Sequence, residues 1–153
     1  MVRIFVVYDT KYGNTKLVAG KIVEGINEIG GLETTISDVK EVDLERLADY
    51  DAILIGAPAH FGAPTRTITK FIDKLGKLDL KAKWTAVFDT YLKEDFEKAV
   101  KKMEIRINEK VPKIKQIVPG LSIKVNGMKG PIAEGELPEC IDFGMKIATQ
   151  LKI

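Results

Sequence analysis

Three short stretches of this chain carry side chains whose types and spacing could do chemistry. The first is Tyr8-Asp9-Thr10-Lys11-Tyr12-Gly13-Asn14-Thr15. An apolar run, Val2 to Val7, precedes it, and a sixteen-residue pattern follows with Val18, Ile22, Ile26 and Ile29 on one helical stripe. That order predicts strand, tight turn, helix. Such a turn aims a row of backbone N–H groups and the positive end of a helix dipole at one spot, and Thr10 and Thr15 add hydroxyl donors there. A spot of that kind binds a phosphate, to which Lys11 could add a charge. The second stretch, Ala57-Pro58-Ala59-His60-Phe61-Gly62-Ala63-Pro64, offers an imidazole and an aromatic ring between two prolines. The third, Asp89-Thr90-Tyr91-Leu92, offers a second aromatic ring.

Two familiar phosphate motifs fail against the first stretch. The nearby glycines are Gly13 and Gly20, and neither is followed by Lys-Ser/Thr at the spacing of a nucleoside triphosphate loop. The Gly-x-Gly-x-x-Gly pattern of dinucleotide folds is absent as well. What stands there is Thr-x-x-Gly-Asn-Thr, and a hydroxyl-rich turn can equally do no more than satisfy helix N–H groups.

The three stretches matter together only if the fold brings them together. Gly30-Gly31 supplies a stop after the first helix, and Leu32 to Val39 reads as a strand with β-branched Thr34, Thr35 and Ile36. A short helix is expected from Asp43 as N-cap to about Ala48, then a fully apolar strand, Ala52 to Gly56. Pro64 is placed to open a helix with Ile68, Phe71, Ile72 and Leu75 inward, ending at Gly76. Trp84 to Phe88 reads as the fourth strand, and Lys93 to Asn108 as a helix with Phe96, Ala99, Val100, Met103 and Ile107 buried, stopped by Pro112. The fifth strand lies within Ile114 to Val125, where Pro119-Gly120 divides two possible pieces and Leu121 to Val125 is preferred. A loop from Asn126 to Glu136 and a helix from Pro138, packing through Cys140, Ile141, Gly144, Ile147, Ala148 and Leu151, complete the reading.

Five strands alternating with five helices imply right-handed crossovers and a parallel sheet covered on both faces, in one domain spanning residues 1–153. Ligands of such sheets bind beyond the carboxyl ends of the strands at the point where strand order reverses. The loops after strands one, three and four meet there. A planar ring held between aromatics and tethered by a nearby phosphate is the guest they suit.

Composition narrows the functional classes. Hydrophobic residues make up 45% and charged residues 30%, and no apolar run is long enough to span a bilayer, so a soluble, cytoplasmic protein without membrane insertion is expected. One cysteine, Cys140, and one histidine, His60, leave no disulfide and no recognisable zinc site. The net charge of +2 arises from interleaved signs, and the modest basic excess between Lys93 and Lys115 fits a solvated helix face rather than a nucleic-acid groove. Abundant Lys, Glu and Ile with few Asn and Gln would suit a heat-adapted source.

The individual residues also have ordinary readings. His60 can be a surface loop residue, Phe61 a plug on the core, and Asp9 and Asp89 turn caps. Trp84, at the amino end of its strand, reads as packing, and Cys140 as an inert core thiol. A phosphorylatable receiver domain shares this fold but needs a carboxylate where the third strand runs out into Gly56-Ala57-Pro58. That reading fails on chemistry.

With element order, spacing and loop content on the page, the chain resembles the flavodoxin family over nearly its full length, and its short-chain form in particular. The resemblance implies a flavodoxin-like three-layer sandwich with a five-stranded parallel sheet in the order 2-1-3-4-5. It implies FMN as cofactor, with the phosphate held by Thr10, Lys11, Tyr12, Gly13, Asn14 and Thr15. Pro58, Ala59, His60, Phe61 and Gly62 would cover one face of the isoalloxazine, and Asp89, Thr90 and Tyr91 would give the second wall. Phe61-Gly62 resembles an aromatic-glycine step whose peptide can turn over when the flavin is reduced. The role implied is electron transfer between redox partner proteins, with no catalytic residue and no metal. Two features depart from the pattern: the third loop lacks a glycine and an additional acidic residue, and the net charge is slightly positive where flavodoxins are usually acidic. The loop from Ala57 to Gly62 also resembles that of flavodoxin-like NAD(P)H:quinone reductases, although no long insertion follows strand four. An FMN-dependent reductase is therefore the alternative, and a flavin-free interaction module on the same fold a third possibility.

Overall fold

A computed structural model describes residues 1–153. Six strands, β1 (Val2–Tyr8), β2 (Leu32–Asp38), β3 (Ala52–Pro58), β4 (Trp84–Tyr91), β5 (Lys115–Gln116) and β6 (Leu121–Lys124), form one parallel sheet. The order is β2-β1-β3-β4, with β5 and β6 lying end to end along the outer edge of β4. The expected order 2-1-3-4-5 is therefore present, and the fifth position is filled by both pieces on either side of Pro119-Gly120. Proline has no N–H to give to the ladder, so pairing with β4 lapses there.

Alternation along the strands divides the interior into two cores. Phe5, Val7, Ile53, Ile55 and Val87 face α3 (Arg66–Leu75) and α4 (Lys98–Lys110), meeting Ile68, Phe71, Ile72, Val100, Met103 and Ile107. The short α2 (Leu44–Leu47) adds Leu47 to that side. Ile4, Val6, Leu54, Ala86 and Phe88 face α1 (Asn14–Ile29) and α5 (Glu136–Leu151), meeting Val18, Ile22, Ile26, Cys140, Phe143 and Ile147. The helices α1 and α5 touch backbone to backbone. A Cβ on Gly25 would fall 2.0 Å from the Ile141 carbonyl oxygen, and one on Gly144 would fall 2.0 Å from that of Ile22. No helix is long and apolar enough to cross a membrane.

Several expected boundaries move. Thr65 rather than Pro64 begins the third helix, because its Oγ1 accepts the Ile68 N–H at 3.4 Å and Arg66 is the first helical residue. The last helix begins at Glu136, with Pro138 in its first turn, where a missing N–H leaves no bond unmade. Strand β4 runs three residues past Phe88. The fourth helix begins at Lys98 rather than Lys93, because Lys93 (φ 56°) and Glu97 (φ 61°) take left-handed conformations that a helix cannot carry. Residues 92–97 form turns instead, and Phe96, expected on the buried stripe, is 55% exposed.

Candidate functional site

The carboxyl ends of β1, β3 and β4 border a cavity of about 450 Å³, within the roughly 300–1,000 Å³ range of small-molecule sites. Thr10, Lys11, Tyr12, Asn14 and Thr15 line it from the first turn, and Pro58, Ala59, His60 and Phe61 from the loop after β3. Thr90 near the end of β4, with Leu92, Lys93 and Asp95 beyond it, closes one side, and Val125 and Met128 close the side beyond β6.

The first turn is built around Gly13, whose φ of 93° is a conformation that side chains resist. Gly13 serves as the N-cap of α1 but supplies no side chain, and the first helical turn holds no acidic residue. Thr10 Oγ1 accepts the Gly13 N–H at 2.9 Å, and the Gly13 carbonyl accepts the Leu17 N–H at 3.0 Å. The amides of Lys11, Tyr12, Asn14, Thr15 and Lys16 have no acceptor within the protein. Five free donors thus gather at the positive end of a sixteen-residue helix, the arrangement that suits a phosphate.

The turn is held from three sides. The Asp9 N–H donates to the Gly56 carbonyl at 3.0 Å, and the buried Asp9 carboxylate accepts Thr65 Oγ1 at 2.7 Å. Thr15 Oγ1 and Thr90 Oγ1 share a buried hydrogen bond of 2.9 Å, joining the first loop to β4. Asn14 lies against Gly130, where an added Cβ would come within 2.6 Å of its Oδ1. Tyr12 donates its hydroxyl to Met128 Sδ at 3.8 Å, and its ring has the Lys11 and Lys129 ammonium groups 5.4 and 6.0 Å from its centroid.

The second loop is tied to the third by the Ala59 N–H, which donates to the Thr90 carbonyl at 2.8 Å. His60 and Ala63 exchange two backbone hydrogen bonds of 2.8 and 3.0 Å, closing a two-residue turn at Phe61-Gly62. Both central residues have positive φ, 52° and 77°, as a tight hairpin turn of the mirror-image kind requires. Glycine meets that at little cost, whereas a phenylalanine held there stores on the order of 1–3 kcal/mol of strain. The Phe61 side chain is fully exposed at the cavity lip, so packing onto the core does not account for it.

The third loop departs from expectation. Because β4 continues to Tyr91, its residues keep alternating: Thr90 faces the cavity, while Asp89 and Tyr91 face the α4 side. Asp89 is completely buried, its two oxygens accepting Ser122 Oγ at 2.6 Å and the Val100 N–H at 3.0 Å. Burial pushes its carboxyl up to about 7, against the pull of those two donors. Tyr91 packs edge-on against Phe96, ring centroids 5.6 Å apart, and its phenol is raised by burial. Leu92 and Lys93 take the place on the cavity wall that the resemblance implies for Asp89 and Tyr91. Gly13 and Gly62 act through backbone geometry and do not line the space. Val125 and Met128 were missed. Their signal was topological, since the loop after the fifth strand must also leave the sheet at its carboxyl end.

A model of the flavodoxin domain matches residues 5–123, more than half of the chain. Among solved structures, a flavodoxin from the domain Archaea superposes with a TM-score of 0.82 at 24% identity, covering 99% of this chain and 100% of the other. Flavodoxin 2 from Bacillus cereus gives 0.78 at 26% identity, with coverage of 99% and 100%. The flavodiiron core of Flv1 from Synechocystis sp. PCC6803 gives 0.78 at 18% identity, and there the match takes in 36% of the longer chain. The phosphate-type turn, the strand order and the domain match converge, and the chain belongs to the flavodoxin family.

Proposed function

We propose that this chain binds FMN and carries electrons between redox partner proteins. The observation that carries the reading is the set of five unpaired amides at Lys11, Tyr12 and Asn14–Lys16, opening into a cavity large enough for a ring system. Bound FMN would supply one- and two-electron redox chemistry. The amides and Lys11 would hold its phosphate, with Thr10 and Gly13 fixing the turn. Phe61, on a turn that holds it out of the core, and Leu92 with the Lys93 stem are the apolar surfaces available to the ring. Tyr12 and Met128, in contact with each other, line the far side. The role of such a site is to bind, orient and tune the cofactor.

The second reading, an FMN-dependent NAD(P)H or quinone reductase, is favoured by one feature: His60 stands exposed at the cavity lip, within reach of a substrate. Both readings are tested on purified protein mixed with FMN and desalted, then reduced stepwise with dithionite under anaerobic conditions. The carrier reading expects retained yellow absorbance and reduction in two resolved one-electron stages. Rapid NAD(P)H oxidation coupled to a quinone would replace it with the reductase. A colourless protein after desalting would refute both.

A further inference from the structure

A second hollow of about 420 Å³ lies on the other side of the first turn, sharing Thr10, Lys11, Pro58 and His60 with the cavity and adding Lys40, Thr65, Arg66 and Thr67. Lys11, Lys40 and Arg66 are exposed there, and Lys93 and Lys129 are exposed around the cavity itself. None of these five cations makes an ion pair. Of the carboxylates that line the two hollows, Asp9 is buried and bonded to Thr65, and Asp95 is paired with Lys98 at 3.0 Å. The exposed charged side chains that line the two hollows are thus positive. Within this collar stand Phe61, fully exposed, and Met128 at 66%, with Tyr12 at 41%. Large apolar side chains exposed together and rimmed by charge mark an association surface.

We infer that the mouth of the cavity is a docking surface for a redox protein that presents a ring of carboxylates around an exposed apolar edge, Phe61 and Met128 being the central contacts and Lys40, Arg66 and Lys129 the steering charges. The inference deepens the proposed function and rests on it for the electron, though not for the surface. Complementary charge acts mainly on encounter rate, raising it by roughly ten- to a thousand-fold at low salt, and the gain vanishes as the screening length shrinks from about 30 Å at 0.01 M to about 10 Å at 0.1 M.

The test compares two haem proteins of opposite charge, acidic cytochrome b5 and basic cytochrome c, as acceptors from the FMN-loaded, dithionite-reduced protein in an anaerobic stopped flow. Each ferric haem gains one electron and becomes ferrous, the flavin loses one, no bond is made between the partners, and any flavin proton passes to solvent. The expected result with cytochrome b5 is a rate constant that falls about tenfold or more between about 20 and 300 mM salt. With cytochrome c it should stay level or rise. The triple variant Lys40→Glu, Arg66→Glu, Lys129→Glu, with flavin content and circular dichroism checked against the parent, should lose the cytochrome b5 advantage at low salt, and the glutamine triple variant should fall between. A cytochrome c rate that is faster and salt-suppressed, or a cytochrome b5 rate untouched by the variants, overturns the inference. If no flavin is retained, the proposed function fails separately. The surface is then read from amide shifts of the labelled protein titrated with cytochrome b5: shifts at Lys40, Phe61, Arg66 and Lys129 support it, and shifts elsewhere or none overturn it.

Discussion

Replacing Asp89 by asparagine should stabilise this protein at neutral pH and do little in mild acid. Asp89 has no solvent contact and accepts only Ser122 Oγ and the Val100 N–H. The unfolded chain ionises this carboxyl near its ordinary value of 3.8, and the folded chain holds the proton up to about 7. Between those values the native state binds a proton that the unfolded state has lost, so stability falls as pH rises, by at most about 1.4 kcal/mol per pH unit. From pH 5 to pH 8 the loss is about two units' worth, or on the order of 2–3 kcal/mol. An asparagine keeps the shape: its oxygen can accept from Val100 and its NH₂ can donate to Ser122, so the window disappears.

The assay is urea unfolding of the flavin-free protein and its Asp89→Asn variant at pH 5 and pH 8. With a slope of about 1–3 kcal/mol/M, the variant's midpoint relative to the parent should shift upward by roughly 1–2 M between the two conditions. Glu104 is also raised by burial, but it is common to both proteins and cancels in the comparison. Asp51 and Asp73 are lowered by their bonds to the Arg3 N–H and to Arg106, so their stabilisation is lost only as pH falls below the carboxylate range, outside the window. A midpoint difference that is the same at both pH values would refute the reasoning.

The other expectations are brief. Phe61→Gly should raise stability by about 1 kcal/mol in urea by relieving the left-handed strain, while weakening FMN binding tenfold or more if the ring contacts the cofactor. Gly144→Ala should lower the melting temperature, costing about 1–3 kcal/mol, because its Cβ would meet the Ile22 backbone. Gly20→Ala, on the open face of the same α1, has nothing within 4 Å and should gain about 0.5–1 kcal/mol. The Cys140 thiol is buried, and burial pushes it up to about 12, so a thiol reagent at pH 8 should label none of the native protein and one equivalent in urea. Labelling of the native state would place Cys140 nearer solvent than its helix face allows.

The elements legible from sequence were those whose evidence is local. Val2 to Val7, the hydroxyl-rich turn and the stripe from Val18 to Ile26 each announce themselves within a few residues, and the free amides of Asn14, Thr15 and Lys16 follow from helix geometry. The end of β4 was not legible, because Asp89-Thr90-Tyr91 has the polarity of a loop. The Asp89 carboxylate is accommodated inside by Ser122 and Val100, which the fold alone brings near. The start of α4 failed for a related reason. The stripe through Phe96 fits a helix, but backbone turns at Lys93 and Glu97 push the ring outward to meet Tyr91. Residues drawn in by topology rather than pattern, Leu92, Lys93, Val125 and Met128, complete a site of which the first two loops could be read directly.

The glycine contact between α1 and α5 bears on when the fold closes during synthesis. The helix whose amino end forms the candidate phosphate cradle finds its backbone-close partner only once residues 136–151 have been made. At about 5–20 residues per second, α1 waits on the order of ten seconds with Ile22 and Ile26 uncovered on that flank. The flank of α1 that Gly144 approaches would then be covered last, so a ribosome-bound chain lacking α5 should leave Ile22 and Ile26 open to an apolar dye that the finished protein excludes.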